Sequence, residues 1–170
     1  MKKYEFTGET KRVELWNRTA TLHRIKATVE FGFVKVGELG GWIEKEENLS
    51  HEGKAWVCGD AKVWGNAKVW GNAKVCGDAE VCGDANVCGN AEVFLASHVL
   101  VMGSVGSRND FTTFFRDKDN EITVKCGCFL GKIDKFLEKV TQTHGNNKYA
   151  LVYRAAVEVA KLQIELTERK

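Results

Sequence analysis

A six-residue repeat runs through the middle of this chain almost without error. It begins as Val57-Cys-Gly-Asp-Ala-Lys62, continues as Val63-Trp-Gly-Asn-Ala-Lys68 and Val69-Trp-Gly-Asn-Ala-Lys74, and goes on in the same form to Val93. A fixed short period means one small unit stacked many times, which sets the architecture before any other argument. Within each unit Ala and Val flank a single residue, as in Ala61-Lys62-Val63. Period two places Ala and Val on one face and turns the central residue away. Gly-Asp or Gly-Asn follows at every repeat. Glycine tolerates positive φ, and Asn or Asp tolerates it better than most, so each dipeptide turns the chain.

Strands alternating with corners wind the chain into a coil, and a hexapeptide period is the mark of a parallel β-helix. The unit, an aliphatic residue followed four positions later by a small one, resembles that of the left-handed hexapeptide β-helix proteins. In that family three hexapeptides make one triangular coil of 18 residues. The resemblance covers Ala55 to Val105, with Ser97-His98-Val99 and Gly103-Ser104-Val105 in the same phase. A degenerate coil precedes it, from Gly40-Gly41-Trp42-Ile43 through Asn48-Leu49. The expected fold is mainly β: a left-handed parallel β-helix of about three to four coils, with an N-terminal β cap and a C-terminal ββαα module. The expected boundaries are 1–39, 40–105 and 106–170.

Stacking at this period predicts neighbours. Lys62 lies beside Glu80 and Lys74 beside Glu92. Val57, Val75 and Val93 form one inward column, and Val63, Val81 and Val99 another. The residue after each inward Val is Cys58, Trp64, Trp70, Cys76, Cys82 or Cys88. Rows of outward Trp and Cys do not suit a solvated surface. Trp64, Trp70, Cys76 and Cys82 are therefore candidate interface residues of a homotrimer, the usual oligomer of the resembled family. The alternative is that the terminal segments fold back over one face of a monomer.

The net charge of +2 over 170 residues makes the chain neither an acidic mimic of nucleic acid nor a strongly basic nucleic-acid binder. No apolar run is long enough to cross a membrane. The start, Met1-Lys-Lys-Tyr-Glu-Phe-Thr7, has charge but no apolar core like a signal peptide, so a cytoplasmic location is expected. On that basis the six cysteines should be reduced. Cys58 and Cys76 should be vertical neighbours, while Cys82 and Cys88 sit on other faces, so four ligands do not converge and no metal site is expected. Cys126-Gly-Cys128 lacks the two-residue spacing of a zinc knuckle or thioredoxin motif. No cofactor is expected. Proline is absent, which fits a stacked backbone that needs its amide donors.

The N-terminal stretch Thr21-Leu-His-Arg-Ile-Lys-Ala-Thr-Val29 alternates in part and reads as strand, suited to capping the open end of a coil. After Val105 the pattern changes. Strand-like residues to Arg116, a turn at Asp117-Lys-Asp-Asn-Glu121 and a strand Ile122–Cys126 make a hairpin. Ile133, Phe136, Leu137 and Val140 then have helical spacing. A last helix is expected from about Lys148 to Glu168, with Leu151, Ala155, Val159 and Leu162 on one stripe.

The layout resembles a group of phage and prophage proteins. The shared motifs are Gly40-Gly-Trp-Ile-Glu-Lys-Glu-Glu-Asn-Leu49, the hexapeptide run, Gly106-Ser-Arg108, Thr112-Thr113-Phe114 and Gly127-Cys-Phe129. The resemblance implies the architecture and a phage context in a bacterial host, and no activity or ligand. Three classes of function stay open. Hexapeptide proteins are often acyl-CoA-dependent acyltransferases with a His general base; His98 is the candidate here, with His51 in the degenerate coil. A ligand-binding role would draw on Ser107 and Arg108 for a phosphate, Thr112, Thr113 and Arg116 for polar contacts, and Phe129 to stack on a base. An anionic, nucleotide-like signal used in host immunity is the sharp form of that reading. The third class is a non-enzymatic module that binds a host protein.

Overall fold

In the computed structural model, which describes residues 1–166, each Ala-x-Val triplet of the repeat ends in a two-residue strand. A hairpin of β1 (Tyr4–Glu14) and β2 (Thr19–Ala27) comes first, then β3 (Leu39–Ile43). The repeat supplies β4 (Trp56–Val57), β5 (Lys62–Val63), β6 (Lys68–Val69), β7 (Lys74–Val75), β8 (Glu80–Val81), β9 (Asn86–Val87) and β10 (Glu92–Val93). These form three parallel ladders. One runs β3-β5-β8, the second β4-β7-β10, and the third is β6-β9 with Leu49 bridged to Val69. Val57 pairs with Val75 and Val75 with Val93, at the expected separation of 18. Ile43 pairs with Val63 instead, a separation of 20. The degenerate first turn therefore carries two extra residues, which lie between Leu49 and Val57.

Why these residues stack is visible in the packing. Every repeat Val from Val57 to Val93 and every partner Ala from Ala55 to Ala91 is buried in one core. Amides of successive strands donate to the strand 18 residues on, as Cys58 N does to Val75 O and Lys62 N to Ala79 O. A proline at any of these positions would delete a rung of the ladder. The corner glycines have left-handed φ, and they also lie close to one another. A Cβ on Gly71 would sit 3.0 Å from Gly89 N, so the corners admit little else. The expected ion pairs form, Lys62 with Glu80 at 3.3 Å and Lys74 with Glu92 at 3.6 Å.

The repeat ends at Val93, earlier than its phase suggested. Phe94-Leu-Ala-Ser lacks the Gly-Asx corner, and a short 3₁₀ turn at Ala96–His98 redirects the chain. Val99 does not continue the Val63–Val81 column. It opens β11 (Val99–Val105), which pairs antiparallel with β12 (Asp110–Arg116), Val99 opposite Phe115. β13 (Ile122–Cys126) and β14 (Phe129–Lys132) complete a four-stranded sheet, followed by α1 (Ile133–His144) and α2 (Lys148–Gln163). The expected ββαα ending is present, with a further strand on each side of its hairpin. The molecule is thus mainly β with two C-terminal helices.

β12 is buried on both faces. Phe114 packs with the helices against Phe136 and Val157, while Phe115 joins the core of the repeat. The last helix ends at Gln163; the expected residues Thr167 and Glu168 lie outside those described. Its expected inward stripe faces outward. Leu151 is 60 % exposed and Leu162 88 %, whereas Ala150, Tyr153, Val157 and Ala160 are buried. Alanine and a planar ring let the helix approach the sheet closely, and this side won. No helix among the described residues is long and apolar enough to cross a membrane.

Candidate functional site

The C-terminal sheet meets the repeat along the ladder of β6 and β9. Thr113 Oγ1 accepts a hydrogen bond from Asn86 N at 3.0 Å and fixes the approach. Beside this contact a cleft of about 440 Å³ remains open. The repeat contributes Asn66, Lys68, Asp84 and Asn86 to its wall, and the turn before Leu49 adds Lys45 and Glu47. The opposite wall is Asp110, Phe111, Thr113, Lys125 and Gly127 from the β12–β13 sheet.

Charge in the cleft is mixed, but its partners are not evenly distributed. Asp84 accepts from Asn66 Nδ2 at 3.2 Å, and Asp110 Oδ1 accepts from the amide of Phe111 at 2.7 Å. Lys125 donates to the carbonyl of Gly127. Among the described residues, Lys45 and Lys68 are in no ion pair within 4 Å. Arg108 lies at the edge: a Cβ on Gly127 would come within 2.7 Å of its Nη1, so glycine there leaves room for the guanidinium. Phe111 is an exposed ring at the same end. Unpaired cations beside an open aromatic face suit a ligand that has both negative charge and a flat ring.

The residues singled out by sequence divide between this cleft and the scaffold. Thr113 lines the cleft and Arg108 borders it. Ser107 bonds to Tyr153, whose phenol is pushed up by burial and by Cys126. Thr112 is buried with its hydroxyl 3.4 Å from Cys126 Sγ. Arg116 donates to Glu92 O at 3.0 Å and Asn120 Oδ1 at 3.1 Å, tying the sheet to the last turn of the repeat. Phe129 packs on Phe136 with ring centroids 5.4 Å apart. His98 is only 6 % exposed, and its Nδ1 accepts from Phe94 N at 3.0 Å. Burial and Arg116 lower its pKa, and it lines no part of the cleft. His51 stacks on Tyr4, centroids 4.2 Å apart, with Nδ1 accepting from Lys3 N.

The Trp and Cys rows are distributed differently from the expectation. Trp64 is 7 % exposed, packed with Trp42, Leu22 and Cys82 beneath the β1–β2 hairpin. The fold-back alternative therefore describes this face, because the N-terminal hairpin supplies the apolar cover within one chain. Trp70 stays 37 % exposed. Cys58 and Cys76 form a disulfide rather than two thiols, since the 18-residue stacking brings their Cα atoms to 4.5 Å. Burial raises Cys82, and pushes Cys88 up to about 11 despite Lys125 nearby, so neither is an activated nucleophile. No group of three or more metal-ligating side chains occurs among the described residues.

Lys45, Lys68, Phe111 and Lys125 were missed by sequence reasoning. A signal existed only for Lys68, which the 18-residue register places beside Asn86 on the outer face. Neither a family model nor any curated protein matches the chain.

Proposed function

We propose that this chain is a non-enzymatic binding protein whose cleft between the repeat and the C-terminal sheet holds a small anionic, nucleotide-like ligand. The observation that carries this reading is the set of Lys45, Lys68 and Arg108, free of carboxylate partners, beside the exposed ring of Phe111. Phosphate oxygens would take the cations as charge-assisted acceptors, and a base would stack on the ring. The scaffold under this site is a left-handed parallel β-helix, a reading supported by three parallel ladders advancing 18 residues per turn. The buried, occupied ring of His98 gives an acyltransferase no base at this cleft. In a phage setting, inside the host cytoplasm, sequestering a nucleotide signal would blunt a host immune response.

The test is a thermal-shift titration with AMP and GMP. At a hundredfold excess over Kd, binding adds about 2.7 kcal/mol. That corresponds to roughly 5–10 °C for a domain of this size. The shift should be lost in Lys68→Ala and reduced in Arg108→Ala. Absence of any shift with mononucleotides overturns the reading.

A second reading, compatible with the first, concerns protein contact. The exposed stripe of Leu151, Val159 and Leu162 on α2 supports docking of a second copy of the chain, and assembly as a homotrimer. A host protein on the same stripe is the competing occupant.

A further inference from the structure

The cleft does not stop at Lys68. Lys68 and Glu47 also line a second hollow of about 520 Å³ on the same side of the repeat. Each hollow alone falls within the range of roughly 300–1,000 Å³ that small-molecule sites occupy. Joined at two shared residues, they exceed what a mononucleotide fills.

The two hollows differ in character. The first is polar, with Asn66, Asn86 and the lysines, and holds Phe111. The second is walled by Leu49, Val69 and Trp70. Trp70 is partly exposed, and its indole N–H donates to Asn86 Oδ1. Asn86 itself lines the first hollow, so one side chain ties the Trp ring to the polar end of the groove. In order along the surface stand an aromatic ring, a set of cations and a second aromatic ring over an aliphatic floor. Lys68, the cation common to both hollows, has no carboxylate within 4 Å among the described residues.

Resting on the mononucleotide reading above, we infer that the ligand is a dinucleotide. One base stacks at Phe111, the phosphates lie against Lys45 and Lys68, and the second base stacks at Trp70 above Leu49 and Val69. Two flat rings bridged by negative charge complement this groove; a single ring leaves one aromatic face uncovered. Stacking of a base on an aromatic side chain is worth a factor of roughly 5 to 150 in affinity.

Calorimetric titration of the full chain with AMP and with the linear dinucleotide pApA tests this. pApA should bind at least about tenfold tighter than AMP. Trp70→Ala should bring pApA to the affinity of AMP and leave AMP unchanged, while Trp70→Phe, which keeps a ring, should retain most of the gain. If AMP binds and pApA binds no tighter, the dinucleotide inference falls and the mononucleotide reading stands. If pApA is tighter but indifferent to Trp70→Ala, the second ring is elsewhere and the inference is again overturned. If neither ligand binds, both readings fall together.

Discussion

At the scale of single residues, Lys3 is the least expected group. It is buried, with Nζ donating to Ala55 O at 2.7 Å and lying 4.9 Å from the centre of the Phe31 ring. No carboxylate neutralises it, and burial lowers its pKa from 10.5 to about 8. Between those values the unfolded chain binds the proton and the folded chain does not, so this group's contribution to stability rises with pH from about 8 towards 10.5. Cys88, held up to about 11 in the fold, acts in the opposite direction above the ordinary thiol range, as does Tyr4 above 10. The contribution of Lys3 is therefore read as a difference. Urea unfolding of the wild type and of Lys3→Met should show a stability gap that shifts in favour of the wild type as pH goes from 8 to 10. A gap that stays constant would show that Lys3 keeps an ordinary pKa. Val81 gives the corresponding apolar case. It is buried and paired with Val63, and Val81→Ala should cost about 1–3 kcal/mol through lost burial and a cavity, as seen in the urea midpoint.

At the scale of elements, the Cys58–Cys76 disulfide ties β4 to β7, which neighbouring turns of the repeat supply. Closing a loop of 18 residues stabilises by about 3 kcal/mol in the chain-entropy account. Reduction should lower the melting temperature by roughly 6–12 °C. Calorimetry with and without a reductant checks this, and the Cys58→Ser protein should not respond to the reductant. In a reducing cytoplasm the same pair would stand as two stacked thiols. The outward stripe of α2 is tested separately. Leu162→Glu should leave stability unchanged, because the side chain is already in solvent, while dissociating any assembly that uses the stripe. Light scattering that reports the same mass for both proteins removes α2 from the interface.

At the scale of the whole molecule, the candidate site exists because two differently built halves meet. Replacing Lys68 should weaken an anionic ligand about 10- to 100-fold, the loss of one charge-assisted hydrogen bond, while leaving the fold intact. Titration calorimetry on Lys68→Ala measures it. How much of this could be read from residues alone follows from the range of the forces involved. The repeat was legible down to its partners, Lys62 with Glu80 and Val57 with Val75, because a fixed period turns sequence distance directly into spatial distance. The hairpin after Val105 and the helices were legible as elements, because alternation and 3–4 spacing are local. Their faces were not. The Leu151 stripe turned outward, since small residues on the opposite side packed more closely, and only the finished sheet decides that competition. Trp64 looked like an interface residue because its cover, the β1–β2 hairpin, lies more than forty residues earlier in the chain. The cleft was least legible of all. Its walls come from Lys45, Lys68, Phe111 and Lys125, and no period relates them. The sequence by itself determined the stacked coil, because a repeated unit has one way to bury its Val and Ala columns. Only the tertiary structure decided the site, because non-repeating segments meet wherever Thr113 and Phe115 find complementary surface on the repeat.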